Sequence, residues 1–323
     1  TALPPHNLHE VIAAIRMLLD DPTVSIHDLC TVMQGPDFPT GGTIVGRRGI
    51  ADAYATGRGR VIVRGVVHQE EIKGRSCLVI NEIPYQVVQN NLIDKMVDAA
   101  KADRIQGIAD IKNFSGKKHR TRIVVQLKRG ADPDVVERQI YQFTSLQSTV
   151  SIINIALDRG RPRTMGIRQL IDCFINHRRE VIVRRTIFEL KKAEARAHIL
   201  EGLKKALDFL DEVIELIRAS TDAKEAKARL IAEFQFSDIQ AQAILDMRLQ
   251  RLTGLEREKI HSEYEGLLKD IAYYKAILAT PTMVLDIIKE ELKEIQNTYG
   301  DERRTELIED AEEINMEDLI AEE

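Results

Sequence analysis

From Ile167 to Glu201 the chain runs 35 residues with neither glycine nor proline, so nothing inside that stretch breaks a helix. At about 1.5 Å per residue such a helix spans roughly 50 Å, longer than a compact domain needs. Phe174, Val181, Phe188 and Ala195 recur at intervals of seven, with Ile171 and Ile199 in the adjoining seam. Arg178, Arg179, Arg184, Arg185, Lys191 and Lys192 crowd the remaining faces. A narrow apolar stripe on a long basic helix suits a coiled-coil arm.

The arm is expected to return. Ile260, Tyr264, Leu267, Ile271, Tyr274 and Leu278 are spaced four, three, four, three and four apart, the pattern of one coiled-coil edge. Between the stripes, SDIQAQAILDMRLQRLTGLE (237–256) carries more apolar surface than a turn requires, and a small helical head could close on a second copy of itself. The same pattern also fits an ordinary helical bundle packed within one protomer.

Upstream of the arm, Asn7 is placed to cap a first helix, with Glu10 three residues later completing a capping box and Leu8, Val11, Ile12, Ile15, Leu18 and Leu19 as its apolar face. Ser25 with Asp28 repeats that arrangement before SIHDLCTVM. GPDFPTGG (35–42) reads as a rigid, turning connection. Val- and Ile-rich runs predict strands at 59–68, 75–80 and 121–127, with helices over 87–102 and 134–143. The fold class expected is an α/β domain, a long antiparallel arm and a small all-α head.

The net charge of -5 conceals a division. Residues 1–165 hold 22 Lys and Arg against 17 Asp and Glu, residues 166–300 hold 22 against 23, and residues 301–323 hold 2 against 11. An acidic end therefore masks a positive body, and a local patch governs phosphate affinity. Two patches stand out. Arg47, Arg48, Arg58, Arg60 and Arg64 lie among glycines, which would let a phosphate chain approach the backbone. Lys112, Lys117, Lys118, Arg120 and Arg122, with His119, occupy a loop entering a strand. Composition alone equally allows a solvated surface and a hairpin.

Other chemistries find no support. Cys30, Cys77 and Cys173 are far apart with no CxxC, which predicts reduced thiols and no zinc site. GGTIVGRRG lacks the spacing of a dinucleotide fingerprint, and no GxxxxGK[ST] occurs, so no nucleotide binding is expected. No run of eighteen apolar residues is present, so no membrane association is expected.

The strings LPPHNL, GPDFPTGG, HRREVIVRRTIFELKKAEARAHILEGL, QAQAILDMRLQRLTGLE and YGDERRTE give the chain a resemblance to the A subunits of bacterial DNA gyrase, which are type IIA topoisomerases. The resemblance covers residues 1–308. The A subunits of topoisomerase IV share much of this region, and the combination of motifs favours the gyrase form.

What this resemblance implies can be stated segment by segment. Residues 1–165 would be a tower-like domain supporting DNA beside the cleavage site, 166–200 the outgoing coiled-coil helix and 201–259 an exit-gate head. Residues 260–300 would be the returning helices, and 301–323 an acidic segment or the start of a linker. The whole would work as a homodimer on double-stranded DNA with the gyrase B subunit, in the cytoplasm and associated with the nucleoid. The chain itself would bind no cofactor, because ATP and Mg²⁺ act through the B subunit. Ile244, Met247, Leu249 and Leu252 are the gate-contact candidates. The family's catalytic tyrosine and arginine precede the LPPHNL motif, and none of the seven tyrosines here matches the catalytic motif, so the chain alone is expected to be inactive. Two other classes compete: a nonenzymatic DNA-binding coiled-coil scaffold, and a structural protein whose basic face keeps it in solution.

Overall fold

The structure is a computed structural model that describes residues 3–117, 119–247 and 254–309. The chain divides into two compact units, Thr1–Ile175 with Lys289–Glu323, and Asn176–Ile288.

The first unit begins with α1 (Leu8–Asp20) and α2 (Ile26–Val32). There follow β1 (Thr43–Val45), α3 (Arg48–Thr56), β2 (Arg58–Arg64), β3 (Val66–Ile72), β4 (Arg75–Glu82), α4 (Gln89–Lys101), β5 (Ile108–Asn113), β6 (Ile123–Leu127), α5 (Pro133–Phe143), β7 (Gln147–Ile153), β8 (Ile155–Asp158) and β9 (Arg161–Thr164). The helical part comprises α6 (Ile167–Asp208), α7 (Leu210–Ala219), α8 (Ala223–Phe234), α9 (Asp238–Leu245), α10 (Gly254–Ala279) and α11 (Pro281–Tyr299). Strand β10 (Glu306–Ile308) closes the described chain and belongs again to the first unit.

One sheet has the order β3-β4-β6-β5, and all its pairings are antiparallel. Leu78, Ile80, Ile123, Val125 and Leu127 alternate along its central strands and form one core with Leu92, Met96 and Ala99 of α4 and Val136 and Ile140 of α5. This is a sheet with helices covering one face. A second sheet, β10-β1-β2-β7, is antiparallel except where β10 joins β1 in parallel. Gly65 separates β2 from β3, and Tyr141 donates to its carbonyl at 2.9 Å.

The capping prediction at Ser25 holds, with Asp28 returning a bond to the cap. That at Asn7 holds by half. Asn7 accepts from the backbone N–H of His9 and Glu10, but Glu10 does not reach back. Its carboxylate turns away to Arg303, whose Nε and Nη2 donate to it at 2.6 and 2.7 Å. A bidentate guanidinium is the stronger partner for a carboxylate than a lone amide.

GPDFPTGG is likewise more than a connection. Asp37 accepts from the backbone N–H of Arg304 and Thr305 and from the Asn7 amide, and Phe38 is fully buried. Thr305 accepts from the Phe38 N–H at 2.7 Å, and Arg303 also donates to the carbonyls of Gly35 and Pro36. Burial works against the Arg303 charge, but its bonds to Glu10 outweigh that and raise its pKa. Burial would raise the Asp37 carboxyl, yet the hydrogen bonds it accepts from Thr305, Asn7 and Arg304 hold it below its ordinary value.

In the second unit the helical head has its own core of Leu200, Leu203, Leu207, Val213, Leu216, Leu230, Phe236, Ala241, Ile244 and Ile260. Helices α6 and α10 run antiparallel there. Lys204 sits over Tyr264, Arg196 pairs with Glu263 at 2.7 Å, and Glu194 pairs with Lys275 at 2.9 Å. Lys204 with Tyr264 at one end and Glu194 with Lys275 at the other give that antiparallel sense.

The α6 stripe lies elsewhere than the heptad reading put it. Ile171 of the expected seam is buried, but Phe174 is 38% and Phe188 63% exposed and Ala195 is exposed, whereas Ile175, Ile182, Thr186, Ala193, Ala197 and Leu200 are buried. Helix α6 also continues to Asp208. The returning stripe holds from Ile260 through Tyr274, after which Ile277 is buried in place of Leu278.

Glu10 and Arg303 side chains are 14% and 18% exposed. Removing one partner of such a pair strands the other charge, so Arg303→Ala should lower stability by about 3 kcal/mol. Urea unfolding followed by a probe in the α/β unit measures this; a loss under about 0.5 kcal/mol would show that the pair is not holding the segment.

Candidate nucleic-acid interface

Strand β2 alternates. Val61 and Val63 face the core, while Arg58, Arg60 and Ile62 are exposed, as a two-residue period requires. In the pairing with β7, Arg58 stands opposite Ile153, Arg60 opposite Ser151 and Ile62 opposite Thr149. On the other side Val45 stands opposite both Ile62 and Ile308. The outer face therefore carries an apolar row flanked by arginines.

An open cleft of about 630 Å³ lies on this face. Its lining includes Gly46, Arg48, Asp52, Arg58, Arg60 and Ser151. Arg48 begins α3, at whose N-terminus the helix dipole and free N–H groups already favour an anion. The Arg48, Arg58 and Arg60 side chains have no hydrogen-bond or ion-pair partner among the described residues. Three uncommitted guanidinium groups around one cleft can take phosphate oxygens without reading bases.

The glycines here have a different duty from the one expected. A Cβ on Gly49 would lie 1.7 Å from the Arg60 carbonyl oxygen, and one on Gly59 would lie 2.1 Å from the Gly49 oxygen. Both let α3 lie directly on β2, which is what sets Arg48 beside Arg58 and Arg60. Gly46, with φ +79° and open space around its α-carbon, is the one of the three that leaves backbone accessible.

The other candidates are differently placed. Arg47 precedes α3 and faces Glu309 at 3.7 Å, both largely exposed. Arg64 is half-buried, donates to Gln147 Oε1 at 2.5 Å and lies over the Tyr141 ring, and burial lowers its pKa. Arg122 is paired with Glu70 across the sheet at 2.8 Å, and Lys112 with Asp110 at 3.3 Å. Arg120 reaches the Pro39 carbonyl at 3.5 Å, and Lys117 is exposed. Lys118 lies outside the described residues. Sequence reading missed the β8–β9 ribbon, where Arg159, Arg161 and Arg163 crowd one turn; the string DRGRPR was the available signal.

Of the gate-contact candidates, Ile244 is 3% exposed inside the head's own core, and Met247 is half-buried against that core. Ile244 is thus spent within one chain, because with Ala241 it is buried in the same core as Leu200, Leu203 and Leu230. Leu249 and Leu252 lie outside the described residues.

Tyr54 and Tyr141 are poorly suited to nucleophilic chemistry. Burial pushes both hydroxyls well above their usual pKa, and they are engaged with His6 and the Gly65 carbonyl respectively. Among the described residues no three His, Cys, Asp or Glu side chains gather as a metal site, and no single helix is long and apolar enough to cross a membrane.

A family model described as the A subunit of DNA gyrase/topoisomerase IV matches residues 1–293. The DNA gyrase A subunit of Aminobacterium colombiense is 51% identical over 325 residues, covering 100% of this chain and 40% of the relative. That of Clostridium acetobutylicum is 49% identical over 324 residues, covering 100% and 39%, and that of Deinococcus deserti 47% over 321 residues, covering 99% and 40%. The chain spans about 40% of the length of these curated relatives.

The backbone contact between α3 and β2 can be tested directly. Gly49→Ala should destabilise the α/β unit by about 2–4 kcal/mol, since the added methyl meets a carbonyl that cannot swing away. Gly46→Ala meets no atom and should cost about 1 kcal/mol through its positive φ alone. Thermal unfolding of both variants distinguishes them; equal losses would contradict the close approach.

Proposed function

This chain belongs to the family of DNA gyrase/topoisomerase IV A subunits, and from that premise we propose that it is the DNA-supporting and exit-gate portion of a gyrase-type A subunit. The observation that carries the reading is the convergence of Arg48, Arg58 and Arg60 on one cleft without protein partners. Phosphate contacts of this kind hold a duplex in place and bend it without choosing a sequence. The α/β unit would act as the tower that supports the DNA segment to be cut.

In the same reading the second unit is the arm and gate. Helix α6 goes out, α10 and α11 return, and the head between them pairs with a second copy so that the two halves stay joined while the DNA gate is open. Met247, with Leu249 and Leu252 outside the described residues, is proposed for that contact, since Ile244 is taken by its own core. Both strands of the cut duplex would be held by tyrosines of the complete protein, and the transported duplex would leave through the head.

ATP and Mg²⁺ are proposed to enter with a gyrase B partner, as membership of the family implies. The chain alone is proposed to lack cleavage activity, with the complete A₂B₂ assembly controlling supercoiling by double-strand passage in the cytoplasm, at the nucleoid. The topoisomerase IV form is the second reading, because the matching family model includes it.

The duplex contact is tested by fluorescence anisotropy with a random-sequence duplex between about 50 and 200 mM KCl. Removing two phosphate contacts with Arg58→Gln and Arg60→Gln should lower the slope of log K against log salt by about 1.8 and weaken binding at least about tenfold at low salt. Wild-type affinity in the double variant would overturn the reading.

A further inference from the structure

We propose that the β8–β9 ribbon is a second duplex-DNA contact, entering a groove so that Arg159 and Arg161 take phosphates while Leu157, on the opposite face of the ribbon, packs against a sugar wall. The inference rests on the DNA-supporting reading above and adds a site to it.

The ribbon is a tight two-residue hairpin. Asp158 is paired with Arg161, and both turn residues have positive φ, +49° at Arg159 and +78° at Gly160. A turn of this kind suits Asn or Gly at both positions. An arginine at the first places a long cation at the tip, where the backbone gains nothing from it. Arg163 is neutralised by Asp158 at 2.7 Å. Arg159 and Arg161 have no hydrogen-bond or ion-pair partner among the described residues and are exposed.

The opposite face of the ribbon is apolar. Leu157 pairs with Pro162 and Ile155 with Thr164. Leu157 is 74% exposed and Ile155 39%, and among the described residues no third strand joins this two-stranded sheet. A ribbon with cations at its tip and a bare apolar face matches a duplex groove, where phosphates border apolar sugar walls.

Its base is fixed, so the ribbon is a stiff projection. Asn154 is 1% exposed, donates its N–H to the Gly57 carbonyl and accepts from the Met165 N–H. A Cβ on Gly57 would lie 2.7 Å from the Met165 oxygen, and one on Gly166 2.6 Å from that of Tyr54. The ribbon also continues the arginine face: β7 runs through Asn154 into β8, and its last residue, Ile153, stands opposite Arg58. A duplex seated on Arg58 and Arg60 thus meets the ribbon where that sheet ends.

The test uses the full 323-residue chain and a labelled duplex of about 40 base pairs over the same salt range. Arg159→Gln with Arg161→Gln should weaken binding about tenfold and lower the salt slope by about 1.8. Leu157→Ala should weaken it about threefold with the slope unchanged, because no counterion is released. Melting temperatures equal to wild type would confirm that the fold is intact. Wild-type affinity and slope in the arginine variant overturn the proposal; that is also the result if the ribbon faces a protein. If Arg58→Gln with Arg60→Gln loses binding while the ribbon variants do not, the ribbon alone is excluded. A wild-type chain that binds no duplex removes the underlying reading and this one together.

Discussion

The α/β unit depends on a bidentate ion pair between residues 293 positions apart, Glu10 and Arg303. Three of the strings that mark this chain meet there. LPPHNL supplies the Asn7 amide, GPDFPTGG the Asp37 carboxylate and the Phe38 N–H, and YGDERRTE the Arg303 guanidinium with the Arg304 and Thr305 backbone. Each alone is a short polar loop. Together they satisfy one another's donors and acceptors in a largely buried place, where an unpaired member would be costly. The clamp seats β10 beside β1, and β1 in turn orders the sheet whose outer face carries Arg58 and Arg60.

The cleft follows from the same economy of space. Gly49 and Gly59 let a helix rest on a strand backbone to backbone, which draws the helix N-terminus and the strand arginines to one opening. Of the ten basic candidates, Arg64 is engaged by the Gln147 amide and the Tyr141 ring and Arg122 by Glu70. The ones that remain open are available to phosphate. A chain with a net charge of -5 can bind DNA this way, because potential at the contact is set locally.

Much of the architecture was legible in the sequence, and the misses have physical causes. Strand β4 after Gly74, the α4 and α5 helices and the Ser25 capping box follow from local pattern, whereas the single strand expected over 59–68 is broken at Gly65 into β2 and β3, which join different sheets. The long uninterrupted helix follows from the absence of Gly and Pro. Its buried side does not. Phe174 and Phe188 draw the eye to one heptad line, but the seam is built partly from Thr186, Ala193 and Ala197, whose small side chains give a weak apolar signal while allowing close packing. Glu10 departs from the capping box because that box is a local rule and the stronger partner, Arg303, arrives from the far end of the chain. Glycines near arginines suggest room for a phosphate, but the nearer neighbour of Gly49 and Gly59 is another strand or helix of the same unit. Leu249, Leu252 and Lys118 lie outside the described residues.

The central claim is that a duplex lies on the open arginines of the β10-β1-β2-β7 sheet. Arginine-directed labelling with phenylglyoxal, read by mass spectrometry with and without bound duplex, tests it most directly. The account predicts that DNA slows labelling of Arg48, Arg58 and Arg60, while Arg303, held by Glu10, stays slow in both states. Labelling of Arg58 and Arg60 at the same rate with duplex bound would contradict it.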